Sequence, residues 1–328
     1  MDAFLGIDVA QATLSTHLLY GPISHSKTFA NSTRGVKELL KWLDHHRCPR
    51  HLRACMEATS TYHLLAAQTL YQAGYTVHVA NPYAVHEYGK SLLRRTKTDR
   101  ADAVLLVEYC QSHRLHPWRP LPPELAELLA LVRHRVSLRD RRAALRNQLH
   151  IAAEPSVKAS LNRQIDFLTR EISLADRAIR EHLRAHPSLN QSCELLRSIP
   201  GIGEVTAPLL LAELGDISRF DNVRQVAAYA GLTPEAHESG SSIHAQPVLS
   251  RLGSLRLRCA LYMPGVVVFR MRTLFAPFIE RLLAENRPKM TIIAALMRKL
   301  LHLAYGVLKT GRPFDTDYAE GPAAKRAA

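Results

Sequence analysis

The chain has 328 residues, of which 47% are hydrophobic and 22% charged, a globular composition with length for about two domains. Its 43 Lys and Arg outnumber 29 Asp and Glu and leave a net charge of +14, a surface that draws polyanions. No stretch approaches the roughly 20 apolar residues of a membrane span, the start MDAFLGID lacks the basic and apolar regions of a secretory signal, and five scattered cysteines with no CxxC pair argue against a disulfide framework or a zinc ribbon.

The first third alternates strand and helix patterns. Phe4 to Val9, Thr13 to Tyr20 and His25 to Ala30 read as three short strands in a meander, and Gly35 to His46 carries Val36, Leu39, Leu40 and Leu43 at helical spacing. A strand over Leu52 to Met56, a helix over Tyr62 to Ala73 and a strand over Tyr75 to Ala80 follow, with a break at Asn81-Pro82. This order predicts a mixed sheet with helices on its faces. Beyond Pro117 the texture turns to long helices. Leu161, Ile165, Leu168, Ile172, Ala175 and Ile179 alternate steps of four and three, the seam of a coiled coil. Leu125 to Leu149 is its antiparallel or dimeric partner, with Arg133, Arg135, Arg139, Arg141, Arg142 and Arg146 forming either a solvated face or a phosphate contact. Pro187 marks the next boundary, a third helical segment runs to about Pro313, and the last residues, YAEGPAAKRAA, read as a disordered tail.

Four acids stand out in the first segment. Asp8 closes the first strand in LGIDVA and Glu57 ends the fourth in ACMEAT. An acid at a sheet core must be paired, protonated or bound to a cation. In an RNase H-like sheet the first and fourth strands are neighbours, which would bring these two together. Asp99 and Asp102 in KTDRADA lie three apart at a helix start and share one side. Taken singly, each acid has an ordinary role as a strand-end or helix-cap residue. Taken together they match a site for two hard divalent cations, Mg²⁺ or Mn²⁺, which can activate an attacking oxygen and stabilise a leaving one in phosphodiester chemistry. Lys97 and Arg100 flank the helical pair and would hold a phosphate backbone beside the metals.

Two loops complete the candidate chemistry. SIPGIGEVTAPLLLAEL has the form of a helix-hairpin-helix whose second helix starts near Glu204, with Gly201 and Gly203 allowing backbone N–H groups close to a phosphate. Ser239 heads the cluster Ser239-Gly240-Ser241-Ser242; such clusters are ordinarily loops, but Arg251, Arg256 and Arg258 follow at once and would clamp a phosphate. His237 and His244 are candidate bases or phosphate contacts.

LGIDVA, MEATSTY, KTDRADA, SIPGIGEVTA, AYAGLTP, ESGSS and SRLGSLRLRCALYMP, in this order and spacing, closely resemble the insertion-sequence transposases of the one-ten family, recombinases that join a RuvC-like four-carboxylate domain to a serine domain and are guided by a bridge RNA. The resemblance covers nearly the whole chain. It implies an α/β RNase H-like (RuvC-like) domain over 1–118, a helical coiled-coil and dimerisation segment over 119–187, a mostly α serine-containing domain with the helix-hairpin-helix over 188–315, and a tail over 316–328. It implies that Asp8, Glu57, Asp99 and Asp102 bind Mg²⁺ or Mn²⁺ and that Ser239 is the nucleophile, forming a 5′-phosphoserine link to DNA. It further implies donor and target DNA and a structured guide RNA as partners, dimers assembling into a tetramer in which metals and serine come from different protomers, and a bacterial cytoplasmic setting at the nucleoid. Ile243-His244 after ESGSS departs from the basic residue expected there. The competing reading is a metal-dependent, structure-selective DNA nuclease, a junction resolvase that uses water and needs the four acids but not Ser239.

Overall fold

The computed structural model describes residues 2–58, 61–93, 98–235, 238–239, 243–244, 248–250, 252–272 and 274–315, and of residues 235, 238, 239, 243, 244 and 248 the backbone only. The chain forms two compact units, 1–120 and 121–328.

The first unit is built on strands β1 (Ala3–Val9), β2 (Thr13–Tyr20), β3 (Ile23–Ala30), β4 (Arg53–Glu57) and β5 (Thr76–Ala80), interleaved with helices α1 (Thr33–His45), α2 (Leu64–Gln72), α3 (Pro82–Ser91) and α4 (Asp99–Ser112). The strands form one sheet in the order β3-β2-β1-β4-β5. β1 is antiparallel to β2 and parallel to β4, and β4 is parallel to β5. This is the arrangement expected above, with the first and fourth strands adjacent. Because side chains alternate across a strand, Ala3, Leu5, Ile7 and Val9 of β1 face one way, into a core completed by Val36, Leu39 and Leu43 of α1 and Ala66, Ala67 and Leu70 of α2. Phe4 faces the other way with Cys55 and Ala80, into a core closed by Val85 of α3 and Leu105, Leu106, Tyr109 and Cys110 of α4. Ser32 and Thr98 cap α1 and α4 by accepting from the Gly35 and Ala101 N–H groups, which fixes where each helix begins.

The second unit opens with the long helices α5 (Pro123–Ile151) and α6 (Pro155–Ala185). Only residues 152–154 separate them, so they fold back on one another, and the heptad positions Leu161, Ile165, Leu168, Ile172, Ala175 and Ile179 are all buried. Helices α7 (Pro187–Arg197), α8 (Thr206–Leu214) and α9 (Val223–Ala230) follow. Four two-residue strands come next, β6 (Pro234–Glu235), β7 (Glu238–Ser239), β8 (Ile243–His244) and β9 (Val248–Leu249), then α10 (Leu255–Met271), α11 (Ala276–Ala284) and α12 (Lys289–Thr310). Leu125, Leu128 and Val132 of α5 and Ile179 and Leu183 of α6 share one core with Leu196, Leu210, Leu261, Leu296 and Leu300, so the base of the helical pair packs into the same unit as the downstream helices. Pro187 sits in the first turn of α7, where proline suits a helix start; it bends the chain there. Among the described helices α12 alone is long and apolar enough to cross a membrane, and here Ile292, Leu296, Leu300, Leu301 and Ala304 bury its apolar face in the protein.

Candidate active site

The carboxyl ends of β1 and β4 bring two of the four acids together. The parallel ladder pairs Gly6 with Cys55 and Ile7 with Met56, so Asp8 and Glu57 are the next residues in register. By strand alternation both share the face of Phe4 and Cys55 that α4 covers. Asp8 and Glu57 are each half-buried. The helical pair reaches this edge because of Gly6: a Cβ there would lie 2.0 Å from the Ala103 carbonyl oxygen and 3.0 Å from Val107 Cγ2. Glycine thus lets α4 lie against β1, a close approach no other residue permits. Asp102 directly precedes Ala103, and Asp99 stands one turn earlier, both in the first turn of α4, where the positive end of the helix favours carboxylates. Asp102 is half-buried and Asp99 and Arg100 are exposed. The charge of Arg100 is felt at His17, whose pKa is lowered by burial first and by this guanidinium second. Lys97 lies outside the described residues.

The candidate donors are four carboxylates, hard oxygen ligands with no thiol or imidazole among them, the chemistry Mg²⁺ or Mn²⁺ prefers. Among the described residues no three His, Cys, Asp or Glu side chains are gathered closely enough to hold a metal ion. Asp8 and Glu57 stand at the carboxyl ends of neighbouring strands, and Asp99 and Asp102 in the first turn of the helix that packs on β1.

The second unit holds the other candidates. β6 pairs with β9, Pro234 opposite Leu249, and within that pair in sequence β7 runs against β8, with Ser239 opposite Ile243. Ser239 therefore ends a strand that composition reads as loop. Gly240 to Ser242, His237 and Arg251 lie outside the described residues. The segments that enter and leave these ladders are fastened together at the end of α9. Gly231 is left-handed at φ 66°, and a Cβ on Gly253 would lie 2.4 Å from the Gly231 nitrogen. Thr233 and Tyr229 carbonyls accept from the Ser250 and Ser254 N–H groups. Arg258 donates from Nη1 to the Ala230 carbonyl at 3.1 Å. It thus closes the AGLTP turn, a structural duty that the sequence reading did not contain. Arg256 is 60% exposed, with Nε 3.9 Å from Glu213 Oε1. Glu213, whose side chain is 3% exposed, is held by a two-point pair with Arg133 at 2.8 and 3.0 Å. Arg135 likewise pairs with Asp176 of α6. Two members of the basic face on α5 are thus held in ion pairs within the second unit. These pairs are 80 and 41 residues apart in sequence, and no local pattern announces them.

The PGIG turn differs from its expected form. The second helix begins at Thr206, two residues beyond Glu204. Gly201 has φ 92°, and a Cβ there would lie 3.1 Å from Val268 Cγ2 and 3.3 Å from the Pro264 carbonyl. Its lack of a side chain is thus required by packing against α10. Gly203 has open space where a Cβ would stand.

Residues 5–153 match a DEDD transposase family of IS110 elements, described as Transposase, and residues 193–280 match the Transposase IS116/IS110/IS902 family. The chain is 36% identical over 314 residues to a pilin gene-inverting protein of Moraxella bovis, covering 95% of this chain and 97% of that protein. It is 28% identical over 238 residues to the transposase for insertion sequence element IS1111A of Coxiella burnetii, covering 64% and 63%. It is 24% identical over 344 residues to the transposase for insertion sequence element IS1328 of Yersinia enterocolitica, covering 94% and 98%. A solved structure, T. thermophilus RuvC in complex with Holliday junction substrate, aligns with TM-score 0.28 and 13% identity over 36% of this chain and 100% of its own.

Proposed function

The chain belongs to the IS110 family of insertion-sequence transposases, and from that premise we propose that it cuts and exchanges DNA strands through a covalent 5′-phosphoserine at Ser239, assisted by Mg²⁺ or Mn²⁺ at Asp8, Glu57, Asp99 and Asp102. The observation that carries this reading is the sheet end where Asp8 and Glu57 stand next in register on β1 and β4, with α4, which bears Asp99 and Asp102 in its first turn, packed against β1 at Gly6. A divalent cation would draw these carboxylates together and offset the repulsion between them. Bound there, divalent ions lower the pKa of an oxygen nucleophile and offset charge developing on a scissile phosphate.

In the cleavage step the Ser239 hydroxyl loses its proton and Oγ attacks phosphorus. The bond from phosphorus to the 3′ oxygen breaks, and that oxygen leaves as a 3′-hydroxyl after taking up a proton. In the rejoining step a 3′-hydroxyl of the exchanged strand attacks the phosphoserine, and Ser239 leaves with its proton restored. One phosphodiester is broken and one is made, so no high-energy cofactor is consumed. This suits the rearrangement named in the Moraxella relative, since inverting a gene requires every broken end to be rejoined. Sequence choice falls to a structured guide RNA through base pairing, with the basic surface holding backbone. The chain works as dimers assembling into a tetramer in the bacterial cytoplasm.

The test is a denaturing gel for protein–DNA adducts with Mg²⁺ and the RNA encoded beside the gene. Wild-type protein gives detergent-stable adducts, Ser239→Ala gives none while retaining RNA binding, and Asp8→Asn and Asp102→Asn lose metal-dependent cleavage. Cleavage by Ser239→Ala at the wild-type rate without adducts would overturn the reading in favour of a water-using nuclease.

A further inference from the structure

The amino ends of β4 and β5 carry a feature that this chemistry does not use. A cleft of about 510 Å³ opens there, bounded by His51, Arg53, His78, His113 and Arg114. The rest of its polar lining is hydroxyl and amide, with no carboxylate. β4 has five residues, so at about 3.3 Å per residue Arg53 stands on the order of 13 Å from Glu57 at the opposite end of the strand.

Arg53 is fixed before any ligand arrives. Its guanidinium lies 5.5 Å from the Phe4 ring centroid, its Nε donates to His78 Nε2 at 3.4 Å, and a terminal N–H donates to the His113 carbonyl at 3.4 Å. His78 is 3% exposed, and its Nδ1–H donates to the His116 carbonyl at 3.0 Å. The Nε2 lone pair is then left to accept from Arg53, which requires the neutral ring. Burial first, and the Arg53 charge after it, hold the His78 pKa below its ordinary value. A guanidinium whose rotamer is already set loses less freedom on binding than a mobile one, and its fork of N–H groups matches phosphate oxygens. A cation would find no acid in this cleft.

We propose that the cleft binds a backbone phosphate of the nucleic acid, with Arg53 and Arg114 as donors and His78 as a positioning residue that aims Arg53. The separation of about 13 Å from the acid edge spans roughly four base-pair steps of duplex at 3.4 Å each, so one strand segment reaches both ends of β4. The inference rests on the transposase reading only for the identity of the polyanion.

The test compares full-length wild type with Arg53→Gln, Arg114→Gln and His78→Leu by fluorescence anisotropy across a KCl series, using a labelled DNA duplex in one arm and a labelled RNA strand in the other. Losing one phosphate contact lowers the slope of log affinity against log salt by about 0.9 on duplex DNA or about 0.7 on single-stranded RNA. The arm in which the slope falls identifies the source of the phosphate. His78→Leu is expected to lower the slope as Arg53→Gln does, whereas a merely structural histidine would lower the melting temperature and leave the slope alone. If Arg53→Gln does not fold, Arg114→Gln, at an exposed position just beyond the end of α4, decides. Slopes equal to wild type in both arms would overturn the proposal while leaving adduct formation at Ser239 standing. Absent adducts with altered slopes would overturn the serine chemistry and leave the cleft standing.

Discussion

Gly6 is where the candidate active site depends most directly on packing. In Gly6→Ala the new Cβ would sit 2.0 Å from the Ala103 carbonyl oxygen, against 3.4 Å for the near limit of ordinary contact; the shortfall is 3.4 − 2.0 = 1.4 Å. The obstructing atom is backbone, so no side-chain rotation relieves it, and α4 must move outward from β1 and carry Asp99 and Asp102 with it. Overpacking of this kind costs about 1–3 kcal/mol. At about 4 °C per kcal/mol that lowers the melting temperature by about 4–12 °C. Displacing catalytic groups by about 1 Å costs on the order of 100-fold in rate. Gly35→Ala is the matched control. Its Cβ would meet the Ala30 carbonyl at the same 2.0 Å, but it lies at the start of α1, in the layer on the other face of the sheet. Both variants should lose similar stability by calorimetry. At a temperature well below both transitions, only Gly6→Ala should lose Mg²⁺-dependent strand cleavage by about 100-fold or more. Wild-type cleavage by Gly6→Ala, or equal losses in the two variants, would refute the argument that this glycine sets the position of the helical acids.

Two further outcomes follow from the second unit. Glu213→Gln removes one charge of the pair with Arg133, and because Arg133 remains 37% exposed the cost should be about 1–3 kcal/mol, below that for a fully buried pair; urea midpoints measure it, and an unchanged midpoint would contradict it. His302 has a buried Nε2 without a hydrogen-bond partner and a pKa lowered to about 4, chiefly by burial and then by Arg298 and Lys299. The unfolded chain takes up a proton near pH 6.5 and the folded one only near pH 4, so the unfolded state binds more protons in this window and stability falls as pH drops through it. After discounting for partial exposure, the loss between pH 7 and 4 is about 1–2 kcal/mol. His302→Leu should flatten that part of the stability–pH curve, and an unaltered curve would remove His302 as its source.

The sheet was legible because its strands are long enough to show alternation: Leu5, Ile7 and Val9 point one way along β1, and the same rule places Asp8 and Glu57 on a shared face. The start of α4 was legible from Thr98 before Asp99, a cap followed by acids. The heptads on α6 give its buried seam, while the choice between an antiparallel and a dimeric partner is settled by the short connection 152–154, which folds α5 against it within the chain. β6 to β9 were not legible, since strands of two residues are too short for any periodicity, and Ser, Gly and His read as turn. The duties of Gly6, Gly201 and Gly253 arise from backbones distant in sequence, Ala103, Pro264 and Gly231, and such approaches leave no local trace. The bonds of Arg133 to Glu213 and of Arg258 to the Ala230 carbonyl leave no local trace for the same reason, since those partners lie 80 and 28 residues away.

The most direct measurement is mass spectrometry of nuclease-treated, protease-digested adducts formed with Mg²⁺, cognate RNA and DNA. A nucleotide attached through its 5′ phosphate to the peptide carrying Ser239 is the expected product. Attachment to any other residue, or cleaved DNA bearing a free 5′ phosphate and no modified peptide, would contradict the account.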